Sequence, residues 1–331
     1  MNSSGADNKM QSKLNFEKPL IELDAQIQQL KAFARANPEI NISKGVTALE
    51  ENAKAQTRKI FKKLTRWDKV LLARHEQRPQ SFTYIGALFD DPVELHGDKC
   101  YGDDRALVGG LACFEGQPIV YLAQQKGRDL KERQEMSFGY TRPEGYRKAK
   151  RLMKLAEKFD RPIISLVDTP GAHFDRGSEE RGQSVAIAEN LAEMARLPVP
   201  ILVVVIGEGG SGGALAIAAG DRILMMEYAI YCVAPPEACS GIVWKDNGEH
   251  APEAAEGYKP IAEDLIQLDI IDGIIHEPLG GAHRNPVQAT RNVKRAIKKH
   301  LADLIAIDRD TLVQQRYDRY RRLGVYGERW M

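Results

Sequence analysis

The residues best placed to do chemistry in this chain are glycines. Five of them fall within seven positions, from Gly207 to Gly213, directly after the unbroken apolar run Ile-Leu-Val-Val-Val-Ile at 201–206. That run is short and rich in β-branched residues, so it reads as a buried strand. Residues 214–219, Ala-Leu-Ala-Ile-Ala-Ala, read as a small-residue helix. A strand, a glycine loop and a helix N-terminus in succession aim free backbone N–H groups at one point. Such a point suits a phosphate or a developing oxyanion. A Cβ in the loop would block sharp bending or the close approach of a ligand.

Taken alone, the loop is open to three readings. Gly207-x-Gly209-x-x-Gly212 matches a dinucleotide-binding fingerprint, and Glu227 stands about twenty positions on, where a ribose-binding acid is expected. The second reading is an oxyanion hole for acyl chemistry, with Gly209, Gly210, Gly212 and Gly213 as its backbone. The third is close helix–strand packing with no ligand. A second glycine turn, Thr169-Pro-Gly-Ala172, ends the apolar run 162–168. If adjacent strands carry both turns, the amides around Gly212 and Gly213 and those of Gly171 and Ala172 could converge. That arrangement serves enolate or tetrahedral chemistry on thioesters. A fingerprint placed after at least three strands argues against a dinucleotide domain, which usually opens with it. No GxxxxGK[ST] and no HExxH occurs, so neither a P-loop nor a zincin is expected. A hydrolase elbow is not expected either, and Ser211 is not read as a nucleophile. Lys126 and Arg128, after the run 118–123, could hold an anion or simply line a solvated loop.

Composition narrows the class. The chain has 331 residues, 43 % of them apolar, with a formal net charge of +1. One large or two modest domains fit that length, and no global charge favours nucleic acid or membrane. No apolar run approaches a membrane span. The polar first thirteen residues lack a signal core, so the expected compartment is the cytoplasm. The four cysteines (Cys100, Cys113, Cys232, Cys239) have no metal-ligand spacing, so buried free thiols and no metal are expected.

The elements that must position the glycines alternate. Residues 1–12 read as a disordered tail. Leu20, Leu23, Ile27 and Leu30 share one face of a first helix, and a second runs from Ser43 past Ile60 to Leu64. Two helices so charged must pack on a neighbour. A short helix follows at 67–75, then loops around Asp90-Asp91-Pro92 and His96-Gly97-Asp98. Segments 106–114 and 118–123 read as strands joined by the turn Glu115-Gly116-Gln117. A helix opens at Pro143, its buried face carrying Leu152, Leu155, Ala156 and Phe159. Strand 162–168, helix 184–196, the glycine segment, strands 222–227 and 229–234, helix 253–268 and strand 270–276 come next. Residues 287–322 are helical and basic, with a break near Asp308. This alternation means an α/β core with parallel pairings.

Several long motifs occur together in this order: Gln125-Lys-Gly-Arg128, Pro143-Glu-Gly-Tyr-Arg-Lys148, Asp168-Thr-Pro-Gly-Ala172, Glu179-Glu-Arg-Gly-Gln183, Gly207-Glu-Gly-Gly-Ser-Gly-Gly-Ala-Leu-Ala-Ile217 and Glu277-Pro-Leu-Gly-Gly-Ala-His-Arg-Asn-Pro286. Through them the chain resembles the alpha subunits of bacterial acetyl-CoA carboxylase carboxyltransferases, from about Leu14 to the C-terminal helix. The resemblance implies a crotonase (ClpP-like) spiral fold with helical extensions at both ends. Its expected parts are the tail (1–12), an N-terminal helical region (13–80) and a carboxyltransferase domain with C-terminal helices (81–331). It implies a beta subunit as partner in an α2β2 tetramer, a biotin carboxyl carrier protein, and biotin carboxylase in the larger complex. Acetyl-CoA and carboxybiotin are the implied substrates and malonyl-CoA the product, with no covalent cofactor here and zinc only in the beta subunit.

The resemblance also assigns residues. Amides of Gly212 and Gly213 would hold the biotin oxyanion, so a Cβ at either is expected to be disruptive. Gly209 and Gly210 shape the loop, and Gly171 and Ala172 form the second turn. Lys126, Arg128, His173 and Arg284 are the candidate substrate-binding residues. Leu215 occupies the region where crotonase-type hydratases carry one catalytic glutamate. Glu237 matches their second, although a carboxylate at a helix N-terminus is also favourable electrostatically. A stand-alone acyl-CoA hydratase or isomerase is therefore the alternative enzyme. Gln124, His173 and Ala238 replace the His, Tyr and Gly common in the family.

Overall fold

The computed structural model describes residues 14–37, 39 and 43–324; the tail expected at 1–12 lies outside them. Helices α1 (Lys18–Ala36) and α2 (Ser43–Phe61) form a hairpin whose outer faces are exposed. The neighbour they need is the chain's own next segment. Leu14, Leu20 and Phe61 pack with Leu72 of α3 (Arg66–Ala73) and with Tyr228. Helix α3 starts on a capping box made by Thr65 and Asp68. Helix α4 (Ser81–Leu88) and the edge strand β1 (Asp90–Glu94) follow, neither of them expected from sequence. Pro92 is tolerated in β1 because that strand is an edge, pairing only with β2.

Strands β2 (Leu107–Phe114) and β3 (Gln117–Gln124) form the expected antiparallel hairpin. Its turn places Glu115 at φ 51° and Gly116 at φ 80°, the positive pair that matches strand twist. After α5 (Leu130–Glu135), helix α6 (Pro143–Phe159) packs on β2 and β3. Leu152 and Ala156 are fully buried, but Phe159, in the last turn, is 53 % exposed. Then come β4 (Ile163–Thr169), α7 (Arg176–Glu180), α8 (Gln183–Arg196), β5 (Ile201–Gly210), α9 (Ser211–Leu215), β6 (Arg222–Met226) and β7 (Ile230–Cys232).

The helix expected at 253–268 is two: α11 (Ala251–Tyr258) and α12 (Ala262–Gln267), after α10 (Pro236–Val243). Pro260 explains the break, since it disfavours helical geometry at Lys259, which caps α11 at φ 57°. Strand β8 (Gly273–Ile275) and helices α13 (Pro286–Ile305) and α14 (Arg309–Arg321) are the last elements among the described residues, Asp308 capping α14.

The eight strands among the described residues form one sheet, ordered β1-β2-β3-β4-β5-β6-β8, with β7 also pairing β5. Pairing is antiparallel from β1 to β3 and parallel from β3 to β8. Every residue of β4 and β5 is buried, as their continuous apolar runs require. One side chain fastens the C-terminal end. Arg316 of α14 is 1 % exposed, pairs with Asp221, and donates to the carbonyls of Met194, Leu197 and Val199. Such a buried cation is tolerable because its donors are so fully used.

Candidate active site

Both glycine turns leave the same end of neighbouring strands. β4 and β5 are adjacent and parallel, and Thr169 stands opposite Gly209. β5 runs on through Gly207 to Gly210, where β7 pairs with it, so these glycines are strand rather than loop. The reason is space. A Cβ at Gly209 would lie 2.6 Å from the Tyr231 ring, and one at Gly210 would overlap the Pro170 carbonyl. A Cβ at Gly213 would overlap the Gly171–Ala172 peptide. The two turns are therefore in backbone contact. Gly212 differs: a Cβ there meets only Ile187, at an ordinary 3.8 Å.

The helix after β5 is shorter than expected, ending at Leu215 rather than near 219, and it begins at Ser211. Its first N–H groups, including those of Gly212 and Gly213, have no acceptor within the helix. The Gly213 carbonyl is held from the other side by Gln124 Nε2 at 2.8 Å and the Tyr146 hydroxyl at 3.3 Å. Neither was singled out for this from sequence, because both act on a backbone atom. The second turn is pinned as well. His173 N–H donates to the Thr141 carbonyl at 2.9 Å, and the Gln183 amide donates to the carbonyls of Thr141 and His173.

Ser211 needs a correction. Gly209-Gly210-Ser211-Gly212-Gly213 does fit Gly-x-Ser-x-Gly, and Ser211 sits exposed at φ 55° on a strand-to-helix corner, as an elbow serine does. What is missing is the base: among the described residues no histidine hydrogen-bonds its hydroxyl. The dinucleotide reading fails on geometry, since Gly207 and Gly209 lie in a strand and the Glu227 carboxylate is used by the Glu277 N–H at 3.0 Å.

A family described as acetyl co-enzyme A carboxylase carboxyltransferase-like matches residues 13–324. The acetyl-coenzyme A carboxylase carboxyl transferase subunit alpha of Geobacter metallireducens is 50 % identical over 318 residues, covering 96 % of this chain and 99 % of that protein. The protein of the same name from Thioalkalivibrio sulfidiphilus is 50 % identical over 315 residues, covering 95 % and 98 %. This chain belongs to the acetyl-CoA carboxylase carboxyltransferase alpha-subunit family. Solved structures agree on the fold. A Pseudomonas malonate decarboxylase hetero-tetramer in complex with coenzyme A matches with a TM-score of 0.54 and 19 % identity, covering 67 % of this chain and 89 % of that one. Transcarboxylase 12S matches with a TM-score of 0.52 and 20 % identity, covering 65 % of this chain and 40 % of that one. The fold is thus the crotonase-like one of carboxyltransferases, and the hydratase alternative finds no support among the relatives. Glu237, its candidate acid, is paired with Arg74 at 2.5 Å.

Other residues of this alpha-family chain divide by distance from the turns. Lys126 lies beneath them, its Nζ 2.8 Å from Asp168 and 2.6 Å from Glu208. Arg74 holds the other Glu208 oxygen at 2.6 Å. Burial alone would raise the Glu208 carboxyl, but Lys126 and Arg74 hold it well below the usual carboxylate range. These groups line a cavity of about 200 Å³ together with Arg78 and Phe138. His173 follows the second turn; burial, then Arg142, lowers its pKa, so it is neutral at pH 7. Arg128 is exposed and paired with Glu132 in the next helix. Arg284 is paired with Asp24 of α1. The structure brings Lys126 and His173 to the turns, and pairs Arg128 and Arg284 with carboxylates outside them.

No metal-ligand set was visible in the sequence spacing, yet Glu17, His75 and His283 come together in space. His75 Nδ1 accepts the Gln77 N–H at 3.1 Å, which places the neutral ring's proton on Nε2, facing Glu17. The two imidazoles stack at 4.0 Å, and His283 Nε2 lies 2.9 Å from Glu17. A metal needs bare nitrogens converging in the ring planes. The Glu17–His283 hydrogen bond, with His75 stacked on His283, is instead a lock between the N-terminal arm and the loop after β8. Among the described residues no helix is long and apolar enough to cross a membrane. All four cysteines are free; Cys100 is exposed and the others half-buried, not buried as expected.

Proposed function

We propose that this chain supplies the biotin-facing half of a carboxyltransferase that moves a carboxyl group from carboxybiotin to acetyl-CoA, forming malonyl-CoA for fatty-acid synthesis. The observation that supports it is the backbone contact between the turns of β4 and β5. It gathers the amides of Gly212 and Gly213 and the Gly171–Ala172 peptide into one small region, with no room for a side chain at Gly210 or Gly213. When CO2 leaves carboxybiotin, negative charge develops on the ureido oxygen. The Gly212 and Gly213 amides hold it, as preorganised donors at a helix start do. That oxygen is basic enough to take a proton from the acetyl methyl group, so no side-chain base is required. The resulting enolate attacks CO2. Gly209 and Gly210 keep the backbone tight, and of the four candidate substrate-binding residues His173, directly after the second turn, is the one proposed to serve the substrates, since Lys126, Arg128 and Arg284 are each engaged with carboxylates of this chain.

The rest of the site comes from a beta subunit, in an α2β2 tetramer, with zinc bound there. Carboxybiotin arrives on a biotin carboxyl carrier protein charged by biotin carboxylase, in the cytoplasm. The test is reconstitution. The isolated chain, given carboxybiotin and acetyl-CoA, makes no malonyl-CoA; with a beta subunit added it does. Turnover by the pure chain, or hydration of crotonyl-CoA by it, overturns the reading. Unchanged activity in glycine-turn variants makes the chain a scaffold only.

A further inference from the structure

We propose that Lys126 is a positioning residue that sets the spacing of the two glycine turns; this rests on the turns being the oxyanion site. The parallel ladder between β4 and β5 is regular up to Val167 opposite Val205, and then jumps to Thr169 opposite Gly209. Two steps along β4 correspond to four along β5. Backbone pairing therefore does not fix the register just where the turns begin.

Side chains take over at that point. Asp168 immediately precedes the Thr169–Ala172 turn, and Glu208 immediately precedes Gly209. The Lys126 ammonium bridges them, at 2.8 Å and 2.6 Å. The same Asp168 oxygen accepts the Glu208 N–H at 2.9 Å, so the carboxylate also folds over the irregular stretch of β5. Arg74, at the C-terminal cap of α3, closes the other side of Glu208. The Lys126 stem is wedged in turn: a Cβ at Gly139 would lie 2.6 Å from its Cγ and 3.3 Å from Pro170. An ammonium with two carboxylates in contact has little charge left for a substrate. Its two carboxylate partners stand where the ladder slips, three residues before Gly171 on one strand and four before Gly212 on the other. Small displacements there are costly, since a shift of about 1 Å can cost about 10²-fold in rate.

The test uses this chain assembled with its beta subunit. Lys126→Met strands the buried Asp168 carboxylate, leaves Glu208 with Arg74 alone, and can fail to fold. The double variant Lys126→Met/Asp168→Asn removes one charge of each sign and keeps the interior neutral. In it, kcat falls about 10²-fold, while KM for acetyl-CoA stays within about two-fold. Amide hydrogen exchange accelerates in peptides covering 169–172 and 209–213. Lys126→Arg, which retains the charge, recovers part of kcat. Wild-type kcat in the double variant, or a loss carried by KM alone, overturns the proposal; the latter places Lys126 on substrate. Gly213→Val is the control. If it is active, the oxyanion reading has failed; if it is dead while the double variant is not, only the clamp has.

Discussion

Where the two turns touch, at Gly210 and Gly213, an added carbon atom has nowhere to go, whereas most positions on the outer faces of α1 and α2 look into solvent. In the first region the working groups are backbone amides, and neighbouring backbone crowds Gly210 and Gly213 on the side where a Cβ would stand. In the second, attachment rests on a few side chains: Phe61 edge-on to Phe16 and Tyr228, Glu17 between two histidines, and Arg284 on Asp24. The two regions therefore answer different perturbations. Volume breaks the first, and protons loosen the second.

The largest effect is expected from Gly213→Val. Losing an oxyanion donor costs about 3–4 kcal/mol in the transition state, a rate loss on the order of 10²–10³. A Cβ here also displaces the second turn, so the loss should reach the upper end. A rate assay beside a thermal melt and a sizing run checks it, and near-normal turnover in an assembled complex breaks the contrast.

Next comes the arm. Burial, and then the neighbouring His283, hold His75 down at about 4, against an ordinary value of 6.5. Glu17 opposes this, while Arg78 and Arg284 add to it. Below pH 6.5 a His75 freed from burial by loss of the arm binds the proton more readily than the buried one. Docking is thus fully stable above that pH and weakens as pH falls toward 4, by up to about 1.4 kcal/mol per unit. Limited proteolysis between pH 7.5 and 5 should show cleavage within 14–61 rising as pH falls, and the dependence should flatten in His75→Gln. Cleavage that does not respond to pH refutes the lock.

Gly212→Ala sharpens the contrast from inside the site. Its Cβ meets only ordinary contact with Ile187, so the loss should stay below about ten-fold and far from that of Gly213→Val. An equal loss in both means that Gly212 works by close approach of the ligand. Ser211→Ala is the smallest, within about two-fold, because no base serves the hydroxyl; a dead enzyme in an intact complex would restore a nucleophile.

What the sequence disclosed follows the same divide. Glycine runs and β-branched strands are local signals, so the β4 and β5 turns and the β2–β3 hairpin could be read directly. The edge strand β1 could not, because four of its five residues are exposed and one is proline. Lys126 beside Arg128 looked like an anion pair, but which carboxylates lie nearby depends on strand order. The arm's lock joins His283 to Glu17 across 266 positions, and no periodicity signals such a meeting. Gln124 was visible only as a departure from a family habit, while its bond to the Gly213 carbonyl needed the fold.

The buried Arg316 has a consequence in time. The carbonyls it satisfies, at Met194, Leu197 and Val199, lie up to 122 positions upstream. A ribosome delivers those carbonyls well before it delivers the guanidinium, at roughly 5–20 residues per second. In the interval the connection between α8 and β5 has acceptors without donors, each costing about 1–3 kcal/mol once buried. Until α14 has emerged those three carbonyls are left to water, and the seal over the α8–β5 connection is closed last.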